Sequence, residues 1–495
     1  SEPEETDEVR IEATVTSCPE SSSVWLEMSI NDQNTMLPMF DNGLSGGDAV
    51  PGDDTYTATV LPQPAYSIVR YRILIHGPDG ELGRSPRAQA PGQTYAYYVK
   101  GNVDKVWSPN PIYSLYVKPS DLSLIASYAN LRDPAHPNWN ATVPGTFIYN
   151  GEVYDVQVRH RGSRWCRPWG NGKMSFKIKF PRYHQFDGWP DINLNSANHY
   201  GFTGYEESLA FEMFRRAGMA APMTSFARLN INGRYHGFYF QIESPGEEFL
   251  EAHLGEEGDL FKSMGDPLGR FPYDWGDWRP LSSLQKYEDV YPRKSRRYDS
   301  YEILRDVIEG MRQAYNTSPS TLQSFLESNF DMQRTLSYIA TAAWIGVWDE
   351  AWHNFFPYRD TAGKWMVFPW DTDGCFGANG ASRYTNSIFV GEHGHPDNRG
   401  GWSNELKHYI FSVPALRKEY VLRLEYLNRF VFTPTKLKSY VRSFVPSVTN
   451  DADDAPFGWG RTPEQELEDV ELFIEDRHEN IKKQIDREKQ EPYFQ

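Results

Sequence analysis

Between Val9 and Gly101 apolar and polar residues alternate in short runs divided by turn residues: Val9 to Val15, Val24 to Ile30, Thr55 to Leu61, Val69 to Ile75 and Thr94 to Val99. A period of two predicts strands, and five such runs without a helical stretch predict an all-β sandwich over residues 9–105. The acidic residues 1–8 ahead of them carry no pattern and are expected to be disordered. Trp107-Ser-Pro-Asn-Pro111 reads as a linker, and from residue 111 the pattern changes. Val153 to Arg161 and Met174 to Phe180 alternate as strands. Leu209, Ala210, Met213 and Phe214 then recur at helical spacing within Gly204 to Ala217, before Gly218. Ser225 to Ile231 and Tyr235 to Ile242 flank Asn232-Gly233 as a hairpin. Helical periodicity dominates from Tyr301 on: Ile303 to Ala314, Thr321 to Ser328, Met332 to Trp348, Ser403 to Leu427, Thr435 to Val448 and Thr462 to Lys489. The last starts with a capping box, Thr462-Pro-Glu-Gln465. Strands followed by helices predict an α+β class for residues 111–489.

Composition narrows the function. The 495 residues are 39% hydrophobic and 15% aromatic, enough for a sizeable core, so a folded chain is expected. A net charge of −17, with one short basic cluster at Arg293-Lys294-Ser295-Arg296-Arg297, argues against a nucleic-acid face. The longest apolar stretch, Leu336 to Trp348, falls short of the ~20 residues of a membrane span. Three cysteines, Cys18, Cys166 and Cys375, make neither a disulfide framework nor a zinc pattern. The many tryptophans between Trp165 and Trp352 are expected mainly in the core. The insertion from Met264 to Arg297 is long for a connector and is expected to act as a lid or docking loop. Asp41, Asp48, Asp53 and Asp54 cluster oxygens that can hold calcium, or simply close a Gly/Asp turn pair.

The densest polar grouping lies late in the chain, in Val347-Trp-Asp-Glu-Ala-Trp-His-Asn354 and Phe368-Pro-Trp-Asp-Thr-Asp-Gly374. The residues between them read as two short strands around a turn, which would bring Asn354 and Asp371 to one end of a hairpin. With Asp373 they offer hard oxygen ligands of the kind magnesium takes. Asp349 precedes Asn354 by five positions, the spacing with which phosphotransferases place a carboxylate near the attacking hydroxyl and an amide on the metal.

His353-Asn-Phe-Phe-Pro-Tyr-Arg-Asp360 and Lys364-Trp-Met-Val-Phe-Pro-Trp-Asp-Thr-Asp-Gly-Cys-Phe-Gly377 resemble the hallmark segment of the spore coat CotH kinase family, atypical relatives of protein kinases. Val156 to Arg164, Lys173 to Phe180, Leu209 to Gly218, Asn232 to Glu243, Gly258-Asp-Leu-Phe-Lys262 and Phe473 to His478 resemble its other motifs in order. The likeness runs from about Pro111 to Lys489. Residues 9–105 resemble the immunoglobulin-like modules that precede such domains in secreted bacterial proteins.

The resemblance implies a mixed amino-terminal sheet and a helical carboxy-terminal part, and phosphoryl transfer from ATP with magnesium or manganese to a protein hydroxyl of the Ser/Thr type. Asp349 would orient and deprotonate that hydroxyl, and Asn354 and Asp371 would hold the metal. Lys173, Lys177 and Lys179 share one face of their strand, with Lys177 the first choice and Lys173 the second for the nucleotide phosphates. Arg161 and Arg164 would add a phosphate clamp. Glu207 is the candidate partner of the chosen lysine, with Glu206 and Glu212 competing for that place, and Glu243 ends a strand where a kinase hinge would lie. A Gly-rich covering loop and a His-Arg before Asp349 are missing, and Asp371-Thr-Asp-Gly stands where ordinary kinases have Asp-Phe-Gly. The three residues expected to do the chemistry are nevertheless present, so an active kinase is expected. The rivals are a nonenzymatic coat or surface binding protein, and a nucleotidyl or carboxylate-activating transferase. A secreted or cell-surface location is expected, with a leader removed ahead of Ser1.

Overall fold

The computed structural model describes residues 2–494 apart from 17, 18, 20, 31, 32, 88–92, 131, 132, 134, 135, 163–172, 197–203, 266–274, 379, 381, 399, 400 and 452–461. Arg164, Cys18, Cys166 and part of the 264–297 insertion therefore lie outside the described residues.

The chain opens with seven strands: β1 Val9–Thr14, β2 Ser23–Ile30, β3 Gln33–Met39, β4 Thr55–Val60, β5 Ile68–Gly77, β6 Gly80–Ser85 and β7 Tyr95–Tyr98. β1 pairs with β4, and β3-β2-β5-β6 form a second sheet with β7 also on β5. Along β2, Val24, Leu26 and Met28 are buried while their neighbours are partly exposed. These side chains share one core with Ile11, Ala58 and Val60 of the other sheet, as period two requires. Residues 2–8, expected to be disordered, are instead docked. Lys100 N donates to Pro3 O at 2.8 Å, and Lys100 and Lys105 form ion pairs with Glu2 and Glu4. Two lysines just past β7 meet the acidic run, a long-range pairing that local composition does not reveal.

A closed barrel follows, built from β8 Ile112–Tyr116, β9 Val143–Tyr149, β10 Glu152–His160, β11 Phe176–Lys179, β12 Asp191–Asn195, β13 Thr224–Ile231 and β14 Arg234–Ile242. Helices α1 Pro119–Asn130 and α2 Tyr205–Arg216 are inserted in it, and β8 runs parallel to β13. Phe147, Phe176, Ile178, Leu194, Leu229 and Tyr239 fill its interior.

The remainder is mixed: α3 Glu247–Leu254, β15 Asp259–Leu260, α4 Leu284–Val290, α5 Glu302–Thr317, α6 Pro319–Asn329, α7 Met332–Ile345, β16 Phe355–Arg359, β17 Trp365–Pro369, α8 Glu405–Ser412, α9 Pro414–Tyr426, α10 Pro434–Arg442, α11 Val445–Asp451 and α12 Pro463–Glu488. β15, β16 and β17 form one small sheet. The class is α+β. The helical stretch expected to reach Trp348 stops at Ile345 because Gly346 takes a left-handed conformation (φ 69°), and its N–H closes onto Ala342 O. The stretch expected from Ser403 to Leu427 breaks at Pro414, which starts α9. α12 begins with the expected capping box between Thr462 and Gln465.

Candidate active site

β16 and β17 pair antiparallel with Phe355 opposite Pro369. Asn354 and Asp371 therefore flank the same end of the hairpin, and both turn sharply out of it with φ of 65° and 53°. Phe355, Phe356, Tyr358, Met366, Val367 and Phe368 are all buried. That apolar ribbon carries the polar residues at its end into the interior. From the other side, Gly346 ends α7 and the chain enters a short helical turn at Asp349–Ala351. Asp349 and Asn354 are both buried, and Asn354 Nδ2 donates to Asp349 Oδ2 at 2.8 Å. The other oxygen, Oδ1, is buried with no hydrogen-bond partner among the described residues.

Carboxylates converge here from three elements. Burial, then the charge of Asp371, pushes Asp349 up to about 8. Glu207 on α2 is likewise pushed up to about 8, by burial first, then Asp371, with Arg161 and the Thr372 N–H opposing. Asp373 is raised well above the ordinary carboxylate range by burial, then by Asp371, Glu207 and Asp349. Crowded carboxylates with one oxygen unpartnered are a hard-oxygen donor set suited to a divalent cation. Their donor type is the one magnesium or manganese takes, but among the described residues no three of these carboxylates bring their oxygens within 4.8 Å of one another, so the set is looser than a closed coordination shell.

Lys262 lies beside this cluster. Burial, then Lys294, lowers it to about 7, while Asp371 pulls the other way; its Nζ lies 5.2 Å from the Trp370 ring. Its motif was recognisable in the sequence, but nothing in a Leu-Phe-Lys run marks the lysine as facing a carboxylate. His353 is held neutral, lowered to about 4 mainly by burial. Its Nδ1 lies 3.0 Å from Asp349 O, and its ring stacks on Trp352 and meets Trp275 edge-on. Glu350, next to Asp349, forms a buried ion pair with Lys407 of α8 at 2.5 Å. Neither partner stands out in the sequence, because 57 positions separate them.

The other predicted residues divide. Lys177 pairs with Asp191 at 2.6 Å and lies 3.2 Å from Ser244 Oγ; burial lowers it to about 8. Its carboxylate partner is thus Asp191 and not Glu207, because Glu207 faces Asp371 from α2. Arg161 continues β10 through its N–H to Ser175 O, and its charge acts on Glu207, Lys177 and Lys262. Lys173 Nζ lies 5.0 Å from the Tyr239 ring, and Lys179 is exposed. Glu243 accepts from Met223 N at 2.8 Å and meets His253 Nε2 at 2.9 Å, which clips the end of β14 to α3. Far from all these, carboxylate oxygens of Asp41, Asp48 and Asp53 lie within 4.8 Å of one another. Asp54 joins that loop through its backbone N–H, donated to Asp41 Oδ2.

Among the described residues no helix is long and apolar enough to cross a membrane. The model of the family described as CotH kinase protein matches residues 158–481. Inner spore coat protein H of Bacillus subtilis (strain 168) is 25% identical over 330 residues, covering 65% of this chain and 82% of that protein. The structure of a Helicobacter pylori proinflammatory kinase, CtkA, aligns with 10% identity over 70% of this chain and 92% of its own, at a TM-score of 0.29. A cycloalternan-forming enzyme from Listeria monocytogenes, solved with a pentasaccharide substrate, aligns with 10% identity over 39% of this chain and 14% of its own, at a TM-score of 0.16. At those scores neither structure bears on the chemistry of this chain.

Proposed function

The chain belongs to the CotH kinase protein family, and from that premise we propose that it transfers the γ-phosphoryl group of ATP to a Ser/Thr-type hydroxyl of a protein. The observation that carries the reading is the Asn354–Asp349 hydrogen bond at the end of a hairpin whose other strand delivers Asp371. Asn354, Asp371 and Asp373 are the residues that would hold magnesium or manganese, with Glu207 beside them. Such an ion neutralises phosphate charge in phosphoryl transfer. Asp349 orients the acceptor hydroxyl and takes its proton on Oδ1, while Asn354 fixes Oδ2. Lys177, Lys262 and Arg161 bring positive charge to the nucleotide phosphates, with Lys173 farther out and Arg164 a further candidate. Glu243 serves the β14–α3 junction in this reading.

We also read residues 9–105 as an immunoglobulin-like module ahead of a kinase-like domain at 111–489. The spore coat relative supports coat association, and a secreted or surface location goes with it. For calcium, Asp41, Asp48 and Asp53 are the proposed ligands; a melting temperature indifferent to calcium would leave only the turn.

The test uses the purified chain with magnesium, an acceptor protein mixture, and ATP labelled at the α or the γ position. Transfer of γ label alone supports the kinase. Transfer of α label would favour a nucleotidyl transferase, and no transfer of either would favour a binding protein.

A further inference from the structure

The basic run Arg293-Lys294-Ser295-Arg296-Arg297 splits between two faces. Phe261 and Arg293 form an antiparallel bridge, flanked by bonds from Lys262 N to Pro292 O at 3.0 Å and from Lys294 N to Leu260 O at 2.7 Å. Opposite residues of such a pair point the same way and successive ones alternate, so Arg293 and Lys294 leave on opposite sides. Arg293 lies over the Phe261 ring and pairs with buried Asp259 at 2.8 Å. Lys294 shares the other face with Lys262. On the barrel, β10 and β11 set Arg159 directly opposite Lys177. Both point away from the interior, which Val158 and Ile178 fill. The two surfaces meet: Arg159 and Asp191 act on the charge of Lys294, and Lys177 and Arg161 on that of Lys262. Burial, then Arg297 and Arg159, lowers Lys294, and burial, then Arg161, lowers Arg159 to about 10. Arg159, Arg161, Lys177, Lys262 and Lys294 are all half-buried. Among the described residues, Asp191 is the one carboxylate that ion-pairs with any of them, and it is held by Lys177.

We propose that Arg159 and Lys294 are phosphate-binding residues, and that with Lys177, Lys262 and Arg161 they form a wall that selects the phosphoryl donor by its polyphosphate chain. The inference deepens the reading of this cleft as a nucleotide site and rests on that reading for the adenosine alone. Cations gathered from two elements repel one another, and a single carboxylate does not offset five of them. A structural ion-pair network would supply carboxylates in matching number. A polyanion between the two surfaces removes the repulsion and gives the cations charge-assisted hydrogen bonds. Its shape follows from the convergence of the cations beside Asp371, which acts on Lys262. An acidic peptide spreads its charges by about 3.3–3.6 Å per residue and turns successive side chains to opposite sides. A polyphosphate concentrates them on adjacent phosphorus centres. The insertion thus reaches the site through Lys294, at its hydrogen-bonded end.

The test is calorimetric titration of the full chain with inorganic tripolyphosphate, with inorganic phosphate, with hexaglutamate and with magnesium-ATP. Tripolyphosphate should bind more tightly than phosphate, and less tightly as salt is raised. Arg159→Met and Lys294→Met should each weaken tripolyphosphate and ATP by about tenfold, while Lys294→Arg, which keeps the charge, restores most of the affinity. Lys482→Met, at an exposed position of α12, should bind as the parent does. Tripolyphosphate binding with these losses supports the proposal whether or not label is transferred, so failure of the kinase reading is scored separately. Unchanged affinity in both Arg159→Met and Lys294→Met would overturn it. So would an equal loss in Lys482→Met, or hexaglutamate binding as tightly as tripolyphosphate.

Discussion

Asn354 donates its side-chain amide to one oxygen of Asp349 and leaves the other oxygen without a partner among the described residues. The bond joins the turn after α7 to the start of β16, so a carboxylate and an amide are locked in one orientation before any ligand arrives. Asp349→Asn should keep nucleotide and metal binding and lower transfer by about 10²–10⁴, the span ascribed to a positioned general base. Asp371→Asn should lose the binding itself. Filter binding of labelled ATP alongside a transfer assay separates the two, and full activity in both variants would refute the assignment.

Asn354 also sits at φ 65°, where a side chain is strained and glycine is not. Asn354→Ala and Asn354→Gly both remove the amide and should be equally poor in transfer. The alanine variant alone keeps the backbone strain, so it should be less stable than the glycine variant by about 1 kcal/mol. Urea unfolding of the pair checks this; equal stabilities would mean that the turn relaxes.

Much of this arrangement was readable from periodicity. The strands of the Phe355–Arg359 and Trp365–Pro369 hairpin, the helix at Tyr205–Arg216 and the cap of α12 follow from local pattern. The barrel was only half legible. β9 contains Pro144 and Gly145, which argue against a strand interior, while β8 and β12 are five residues each. Glu207 could not be chosen from Glu206 and Glu212 by spacing, because only the docking of α2 decides which carboxylate faces Asp371. Lys177 was legible as a strand lysine, but its partner Asp191 lies on the next strand, which the pattern had not revealed.

Arg477 supplies a positioning element: it lies in the Phe473–His478 motif, but its role is not legible in sequence. It is fully buried on α12 and donates to the carbonyls of Ala343, Trp344, Tyr384 and Asn386. Two of these belong to the last turn of α7, just ahead of Gly346 and Asp349, where helix carbonyls lack partners. Arg477→Met keeps the apolar stem and removes the donors. It should cost about 3 kcal/mol or more, since each stranded carbonyl costs about 1–3 kcal/mol. A loss below about 1 kcal/mol in denaturant unfolding would show that other donors reach those carbonyls.

Lys177 ties stability to alkaline pH. Burial lowers its folded-state value to about 8, against an ordinary 10.5, and Asp191 offsets only part of that. Below pH 8 both folded and unfolded chains carry the proton, and the cost of a buried charge is fully present. Between 8 and 10.5 the folded lysine has released its proton while the unfolded one still holds it, so stability rises with pH. The slope is about 1.4 kcal/mol per pH unit for one proton, or about 3 kcal/mol across the window. Lys177→Met lacks this contribution, and Asp191 keeps its bond from Ser244 Oγ. The parent should therefore gain stability relative to the variant as the pH is raised from 8 to 10. A phosphate-bearing ligand near Lys177 would stabilise its charged form, so magnesium and a nonhydrolysable ATP analogue should move the rise to higher pH. Denaturant unfolding at three pH values, with and without the analogue, reads both effects. A parent-to-variant difference independent of pH would remove Lys177 as a buried cation, and a rise unmoved by the analogue would remove it as a phosphate contact.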